Sequence, residues 1–354
     1  MQRICNTLAT NGFDVTLVGR KLKDSTELKK QSFKQKRLSL FFKTGFAFYV
    51  EYNLRLFFYL LFAKTDIFYA VDLDTILPCY FASAIKCNKR VYDAHELFTE
   101  QKEIVTRTFV HKFWLAIEKF AVPKYKHGYT VNIFIKEELK RRYNVDYSII
   151  RNLPNHYALF PSLKGEGVGV GVGVRFLIYQ GAVNEGRSFE TLIPAMKHVN
   201  ALLKICGKGN FFDQTKTLIT ANNLENKIDL AGYVLPAELK LLTQNAYIGL
   251  TLFEKTGLNQ YYSLSNRFFD YIMAGIPQVC VNYPEYKAIN DIYHVSLMID
   301  DTTEGTIAAA INKLLQDANL YEQLKHNCVI AREQLNWQAE EKKLLSFFQS
   351  IAIK

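Results

Sequence analysis

The chain has 354 residues, of which 49% are apolar, 22% charged and 14% aromatic, and a formal net charge of +10. That is the composition of a soluble globular chain long enough for two domains with large cores, and it excludes a disordered or collagen-like polymer. Cysteines at positions 5, 79, 87, 206, 280 and 328 form no C-x-x-C and no regular spacing. This argues against a zinc finger, an iron–sulfur cluster or a disulfide framework, and for a reducing compartment.

The charge is uneven. Residues 1–160 carry 26 Lys+Arg against 15 Asp+Glu, whereas residues 161–354 carry 18 against 19. A basic half points to an anionic partner (a membrane surface, a phosphorylated substrate or nucleic acid) or is an ordinary solvated surface. No nucleic-acid-binding motif accompanies it.

The first residues read as an amphipathic helix with Ile4, Cys5 and Leu8 on one face, followed by a strand at 14–18. Further strands are expected at 66–71, 89–93, 128–132 and 147–151, with helices at 45–63, 74–86, 108–121 and 134–142. The stretch LRLFFYLLFAK at 54–64 is too short for a span, which takes ~20 apolar residues. It reads as a buried helix lying near a membrane, not across one.

Two strand ends in this half carry acids. AVDLDTILP at 70–78 places Asp72 and Asp74 before a helix starting near Thr75, where they read as caps or acceptor contacts. RVYDAHELFTE at 90–100 puts Asp93, His95, Glu96 and Glu100 after a strand. Metal ligation, a catalytic loop and a solvated strand end are all open to this cluster, with Glu100 expected to be solvated.

KGEGVGVGVGV at 164–174 reads as a flexible joint, or a weak strand by its Val alternation. Beyond it, strands are expected at 175–181, 201–206, 228–231, 247–252 and 278–282. Helices are expected at 188–199, 211–222, 236–244, 265–274, 303–316, 319–334 and 337–352. Strands alternating with helices on both sides of a joint predict two parallel-sheet α/β domains, with ligands at the carboxyl ends of strands.

The strand ends of the second half have anion-site character. Gly181 closes a strand, and Arg187 precedes a helix expected at Ser188. ICGKGN at 205–210 brings Gly207 to a second strand end, and AGYVLPAELKLL at 231–242 follows a third. In GLNQYYSLSNRFFDYIMAGIPQV, at 257–279, Ser265 can cap a helix that Gly275 ends, with Phe268, Phe269, Ile272 and Met273 on its apolar face and Asp270 among them.

The order and spacing of these segments, with YDAHEL and the closing LNWQAEEKKLLSFF, resemble retaining glycosyltransferases of family 4, of the bacterial cell-surface glycan type. The resemblance covers nearly the whole chain. It implies the GT-B fold: two Rossmann-like parallel-sheet domains facing across a cleft. These would be an acceptor domain at 1–160, a donor domain at 161–336 and a final helix at 337–354 packing back on the first. Relatives begin with one more strand, so the first strand of the N-terminal sheet is expected to be missing, with a start upstream of Met1.

Carried over, the resemblance makes Gly181, Arg187, Gly207, Tyr233, Val234, Ser263, Leu264, Ser265, Asn266 and Asp270 donor-binding. Arg187 would face the phosphates, Asp270 the ribose, and Ser263–Asn266 the pyrophosphate and sugar. His95 would touch the transferred sugar as a neutral imidazole able to change charge near neutral pH. Asp72, Asp74, Asp93 and Glu96 would support it or meet the acceptor. The family's phosphate-binding arginine falls on Ala182 and its sugar-contacting glutamate on Tyr262.

The implied activity is hexosyl transfer from a nucleotide diphosphate sugar to a glycan or lipid-linked acceptor, without metal or other cofactor. The implied place is the cytoplasm, with peripheral contact to the inner face of the cell membrane. A non-catalytic nucleotide-sugar binder and a nucleotide-sugar epimerase are the alternatives.

Overall fold

The computed structural model describes residues 1–22, 25, 27–159 and 175–352. The Gly-Val run at 164–174 lies outside them. The chain divides into two compact units, Met1–Arg151 with Ala339–Lys354, and Asn152–Gln338.

In the first unit, α1 (Gln2–Thr10) buries Ile4, Cys5 and Leu8, the face read from its spacing. Strands β1 (Thr16–Arg20) and β2 (Lys34–Leu38) follow, then α2 (Gly45–Phe62), β3 (Ile67–Val71), α3 (Ile76–Ile85) and β4 (Lys89–Ala94). Next come α4 (Lys102–Val105), α5 (Thr108–Ala121), β5 (His127–Thr130), α6 (Ile133–Tyr143) and the short β6 (Ser148–Ile149). Helix α6 starts where the Asn132 side chain accepts from Ile135 N–H at 2.8 Å, and stops at Asn144 in the left-handed region. Asparagine tolerates that conformation better than most residues.

The strands form two parallel sheets, not one: β1-β2, and β3-β4-β5-β6. Among the described residues no strand joins β1 to β3. β2, with the sequence KQKRL, was not expected. It has no apolar alternation, and it pairs only with β1. Lysines suit such an edge because they discourage further pairing.

The second unit opens with β7 (Phe176–Gln180), α7 (Phe189–Ala195), β8 (Leu202–Cys206), α8 (Phe212–Ala221), β9 (Ile228–Gly232), α9 (Pro236–Asn245) and β10 (Ile248–Thr251). It continues through α10 (Leu258–Tyr261), α11 (Asn266–Ala274), β11 (Gln278–Val281), α12 (Pro284–Tyr293), β12 (Ser296–Ile299), α13 (Glu304–Gln316) and α14 (Ala318–Ala331). The last helix, α15 (Trp337–Ala352), belongs to the first unit from Ala339 onward.

Six parallel strands take the order β12-β11-β10-β7-β8-β9. β7 and β10 are neighbours although the chain runs away from β7 in one direction and from β10 in the other. Their junction is the topological switch point, where open α/β sheets leave a crevice. Every residue of β7 and of β10 is buried, as a central parallel strand covered on both faces requires. Elements α12 and β12 were not expected; β12 is a four-residue edge strand, which carries too little pattern to read.

Candidate functional site

Each unit gathers ionisable groups at the carboxyl ends of its central strands. In the first unit, Asp93 on β4 is fully buried. Its Oδ2 accepts hydrogen bonds from the hydroxyls of Tyr69 and Tyr129, the latter at 2.9 Å, and lies 3.0 Å from His95 Nε2. Its Oδ1 is buried without a hydrogen-bond partner among the described residues. Asp72, at the end of β3, accepts from the His95 backbone N–H at 3.1 Å, while its own N–H donates to the Asp93 carbonyl at 3.0 Å. The two strand ends are thus laced together around His95.

This arrangement sets the charge on His95. Burial favours the neutral ring, but Asp93, and behind it Asp72, outweigh it and raise the imidazole pKa to about 9. His95 is therefore a cation at neutral pH, not the neutral imidazole expected from the sequence. Burial pushes Asp72 up to about 7, against the pull of His95. Asp74 is also raised by burial, to about 6.

Other expectations fail here. Neither Asp72 nor Asp74 caps the helix that follows; Thr75 turns back onto the N–H and carbonyl of Val71, and Asp72 is spent on His95. Glu100 is not simply solvated. It pairs with Arg142 at 2.7 Å, and Arg142 also holds Glu138 at 2.6 Å. Glu96 accepts from the Gln101 amide. Among the described residues no three His, Cys, Asp or Glu side chains are placed to share a metal ion.

In the second unit the ends of β7, β8 and β9 approach closely. Gly181 has φ 122°, and Gly207 sits so near it that a Cβ there would lie 1.8 Å from the Gly181 carbonyl oxygen. Gly207 N–H in turn donates to the Gly232 carbonyl at 2.7 Å. Only glycine allows this contact, and it carries Tyr233 (68% exposed) and Val234 beside the same strand ends.

Helix α7 begins one residue later than expected and turns 3₁₀ at Met196, just after Pro194. The Arg187 guanidinium lies over the Phe253 ring, 4.4 Å from its centroid. Asp270 on α11 accepts from the Gln180 amide at 2.9 Å, and Thr243 donates to the same Gln180 at 2.6 Å. Ser265 stands at the start of α11 without capping it, because its Oγ accepts from Arg267 Nε at 3.1 Å. Its N–H donates to Tyr286 Oη at 2.9 Å, and Ser263 Oγ lies 3.4 Å from the same hydroxyl. Leu264 packs against the core, and Asn266 accepts from Asn152 at 3.2 Å. Gly275 ends α11 in the left-handed region, as expected.

Sequence reasoning missed the central residue of this cluster. Arg267 is 6% exposed, stacked 4.2 Å over Tyr179 and 5.0 Å from the Phe253 centroid that Arg187 shares. A Cβ on Gly181 would lie 3.6 Å from its Nη2. Its Nη1 is buried with no hydrogen-bond partner, and no carboxylate pairs with it among the described residues. No signal for this was available in the sequence: Asn266, Arg267 and Asp270 fall on one polar side of α11, and only packing encloses the arginine there. The arrangement can hold an anion between two guanidiniums at the switch point, with a carboxylate at one side.

Residues 168–328 match the family model described as Glycosyl transferases group 1. No curated protein matches the chain. Among solved structures, sucrose-phosphate synthase from Thermosynechococcus elongatus superposes with a TM-score of 0.81 at 14% identity, over 99% of this chain and 92% of that one. A glycosyltransferase from Rickettsia africae gives 0.74 at 14% identity, over 99% and 93%. Anabaena HepE, solved with UDP-glucose, gives 0.70 at 11% identity, over 90% and 86%. The fold is GT-B, with two Rossmann-like parallel-sheet units. Sugar transfer is the general activity that the family match over residues 168–328 supports.

Proposed function

We propose that this chain transfers a hexosyl group from a nucleotide diphosphate sugar to an acceptor hydroxyl, with retention at the anomeric carbon, in the manner of glycosyltransferase family 4. The observation that carries this reading is Arg267, a buried guanidinium with no carboxylate partner among the described residues, beside Gly181 at the end of β7. Burying an unpaired charge is costly unless an anion joins it. A donor diphosphate is such an anion, and Arg187 is its second cation.

Negative charge grows on the diphosphate as the glycosidic bond breaks, and fixed cations in a water-poor setting stabilise it there. Arg267 thereby takes over the charge lost at Ala182. Asp270, oriented by Gln180, accepts from the ribose hydroxyls. Tyr233 and Val234 flank the base, and residues 263–266 meet the diphosphate and sugar. His95, held charged by Asp93, donates a hydrogen bond to the transferred sugar. Its Nε2 already faces Asp93, which leaves Nδ1 for that contact. Asp93 is too buried to meet the acceptor itself, so the acceptor side falls to Asp72, Asp74 and Glu96. Two guanidiniums supply the charge a metal would otherwise bring, so the reaction is expected to survive chelation.

HepE was solved with UDP-glucose, so uridine sugars are the first donors to test. The acceptor is assigned as a glycan or lipid-linked glycan of cell-surface polysaccharide synthesis, met at the inner face of the membrane. A thermal-shift screen of nucleotide sugars tests the donor site. A donor at a hundredfold excess over Kd should stabilise by about 2.7 kcal/mol. No response to any nucleotide sugar overturns the reading, and NMR of the product's anomeric proton tests retention.

Tyr262, where the family places its sugar-contacting glutamate, favours a second reading: a nucleotide-sugar binder without transfer. Donor binding with no product from any acceptor would establish it. An altered donor sugar appearing without acceptor would instead mark an epimerase.

A further inference from the structure

Helix α2 is apolar on two opposite sides. Phe48, Tyr52 and Leu56, four residues apart, are buried against Val18, Leu38 and Leu40. A second row with the same spacing is offset by two residues, which is about 200° around a helix. It reads Phe46, Val50, Leu54, Phe58 and Phe62, and every member is exposed, from 42% at Val50 to 81% at Phe62. An outward row as apolar as the inward one has no explanation in the packing of a water-facing helix.

The face continues onto neighbouring helices of the same unit. α3 packs on α2 and exposes Phe81 and Ile85. α5 contributes Phe113, 5.5 Å centroid to centroid from Phe46, and Phe120, 6.3 Å from Phe81. No helix among the described residues is long and apolar enough to cross a membrane.

Basic side chains dominate the three helices that build this face, with Asp66 and Glu103 the exposed acids in the adjoining segments. α2, α3 and α5 contain only two acids, and neither is presented outward. Glu118 is buried, and Glu51 is taken up by Arg55 and by the N–H groups of Phe41 and Phe42. Lys43, Lys64 and Lys119 are exposed on these helices or at their ends. Lys124 lies 4.4 Å over the Phe120 ring. Two copies of such a face would bring like charges together, which disfavours self-association. An apolar stripe bordered by lysines fits a bilayer surface, with aromatic rings at the acyl boundary and ammonium groups on anionic headgroups.

We infer that the face built by α2, α3 and α5 docks this protein on bilayers rich in anionic lipid, with Phe46, Leu54, Phe58 and Phe62 inserted. The inference sharpens the membrane location proposed above. It does not depend on sugar transfer, because docking is read without substrate.

The test is co-sedimentation of the full chain with vesicles of phosphatidylcholine alone and with added phosphatidylglycerol. Binding should be at least about tenfold tighter with phosphatidylglycerol and should weaken as salt rises. The variant F46S/L54S/F58S/F62S should lose at least about tenfold in partitioning, since several buried rings are removed. Its melting temperature should stay near wild type. A Trp at position 58 (Phe58→Trp) should shift its emission to the blue on anionic vesicles. Absence of vesicle binding, or binding indifferent to the stripe, overturns the inference. A dimer in solution that the stripe variant dissolves, without vesicle binding, would make the face an interface between copies. Nucleotide-sugar binding measured on the same samples reports separately on the transferase reading.

Discussion

Replacing Arg267 with methionine removes a charge while keeping an unbranched chain of similar length, so its effects on folding and on ligand binding can be separated. In the absence of ligand the guanidinium contributes its stacking on Tyr179 and Phe253 and one hydrogen bond to Ser265. Such cation–π contacts contribute about 0.5–2 kcal/mol each, and a hydrogen bond about 1. Against them stands the cost of a buried cation whose Nη1 has no partner among the described residues. That cost is also a few kcal/mol, so the two sides nearly cancel. R267M should therefore unfold within about 2 kcal/mol of wild type.

Donor binding should respond far more. Losing charge-assisted hydrogen bonds to a diphosphate costs about 1.5–3 kcal/mol, or ~10–150-fold in Kd. For a thirtyfold rise in Kd, a donor concentration that stabilises wild type by ~2.7 kcal/mol would stabilise R267M by only ~0.9 kcal/mol. Thermal shift and titration calorimetry with the best nucleotide sugar read both quantities. R267K should recover part of the affinity, since an ammonium restores the charge without the planar fork. An R267M protein with unchanged donor Kd but a markedly lower melting temperature would refute the reasoning. Arg267 would then be an aromatic-stacked strut.

The His95–Asp93 pair makes a pH prediction. The folded pKa of His95 is raised to about 9 from an ordinary 6.5, so its contribution to stability is complete below about pH 6.5 and is lost as pH rises through about 9. Denaturant titrations across that window should show a decline that H95Q lacks; the residual slope near pH 7 belongs to Asp72, also raised. In D93N, burial is no longer opposed by the nearest carboxylate. The ring should then titrate well below its wild-type value by NMR, and the alkaline limb of the transfer-rate profile should move to lower pH. G207A would place a methyl 1.8 Å from the Gly181 carbonyl oxygen. It should cost about 1–3 kcal/mol of stability by denaturation, and donor affinity as well, because the strand ends must part. Q180L leaves Asp270 without its amide partner at 2.9 Å. It should weaken nucleotide binding by about tenfold, read by calorimetry with the free nucleoside diphosphate.

Most helices and central strands were legible because burial imposes a period. The inward face of α1, the mostly apolar and wholly buried β7 and β10, and the Gly275 stop of α11 all follow from local pattern and glycine stereochemistry. The elements that escaped notice were β2, the one-turn helices α4 and α10, α12 and β12, together with the break in the first sheet. β2 is polar and β12 short, and pairing rather than sequence pattern makes them strands. The candidate positions were legible too, as strand ends carrying Gly181, Gly207, Asp72 and His95. Their chemistry was not.

By itself the sequence determined the alternation of strands and helices, hence parallel sheets, and the strand ends where ligands would gather. These follow from periods of two and 3.6 residues and from where glycine is required. The tertiary structure alone decided the electrostatics. Asp93 lies 24 residues from Tyr69 along the chain and meets it only through the pairing of β3 and β4, and its burial between Tyr69 and Tyr129 is what holds His95 as a cation. Arg267 is separated by more than eighty residues from the Tyr179 ring it covers, and only packing reveals that no acid among the described residues pairs with it. Charge state depends on burial and on neighbours brought from distant parts of the chain, and a linear pattern records neither.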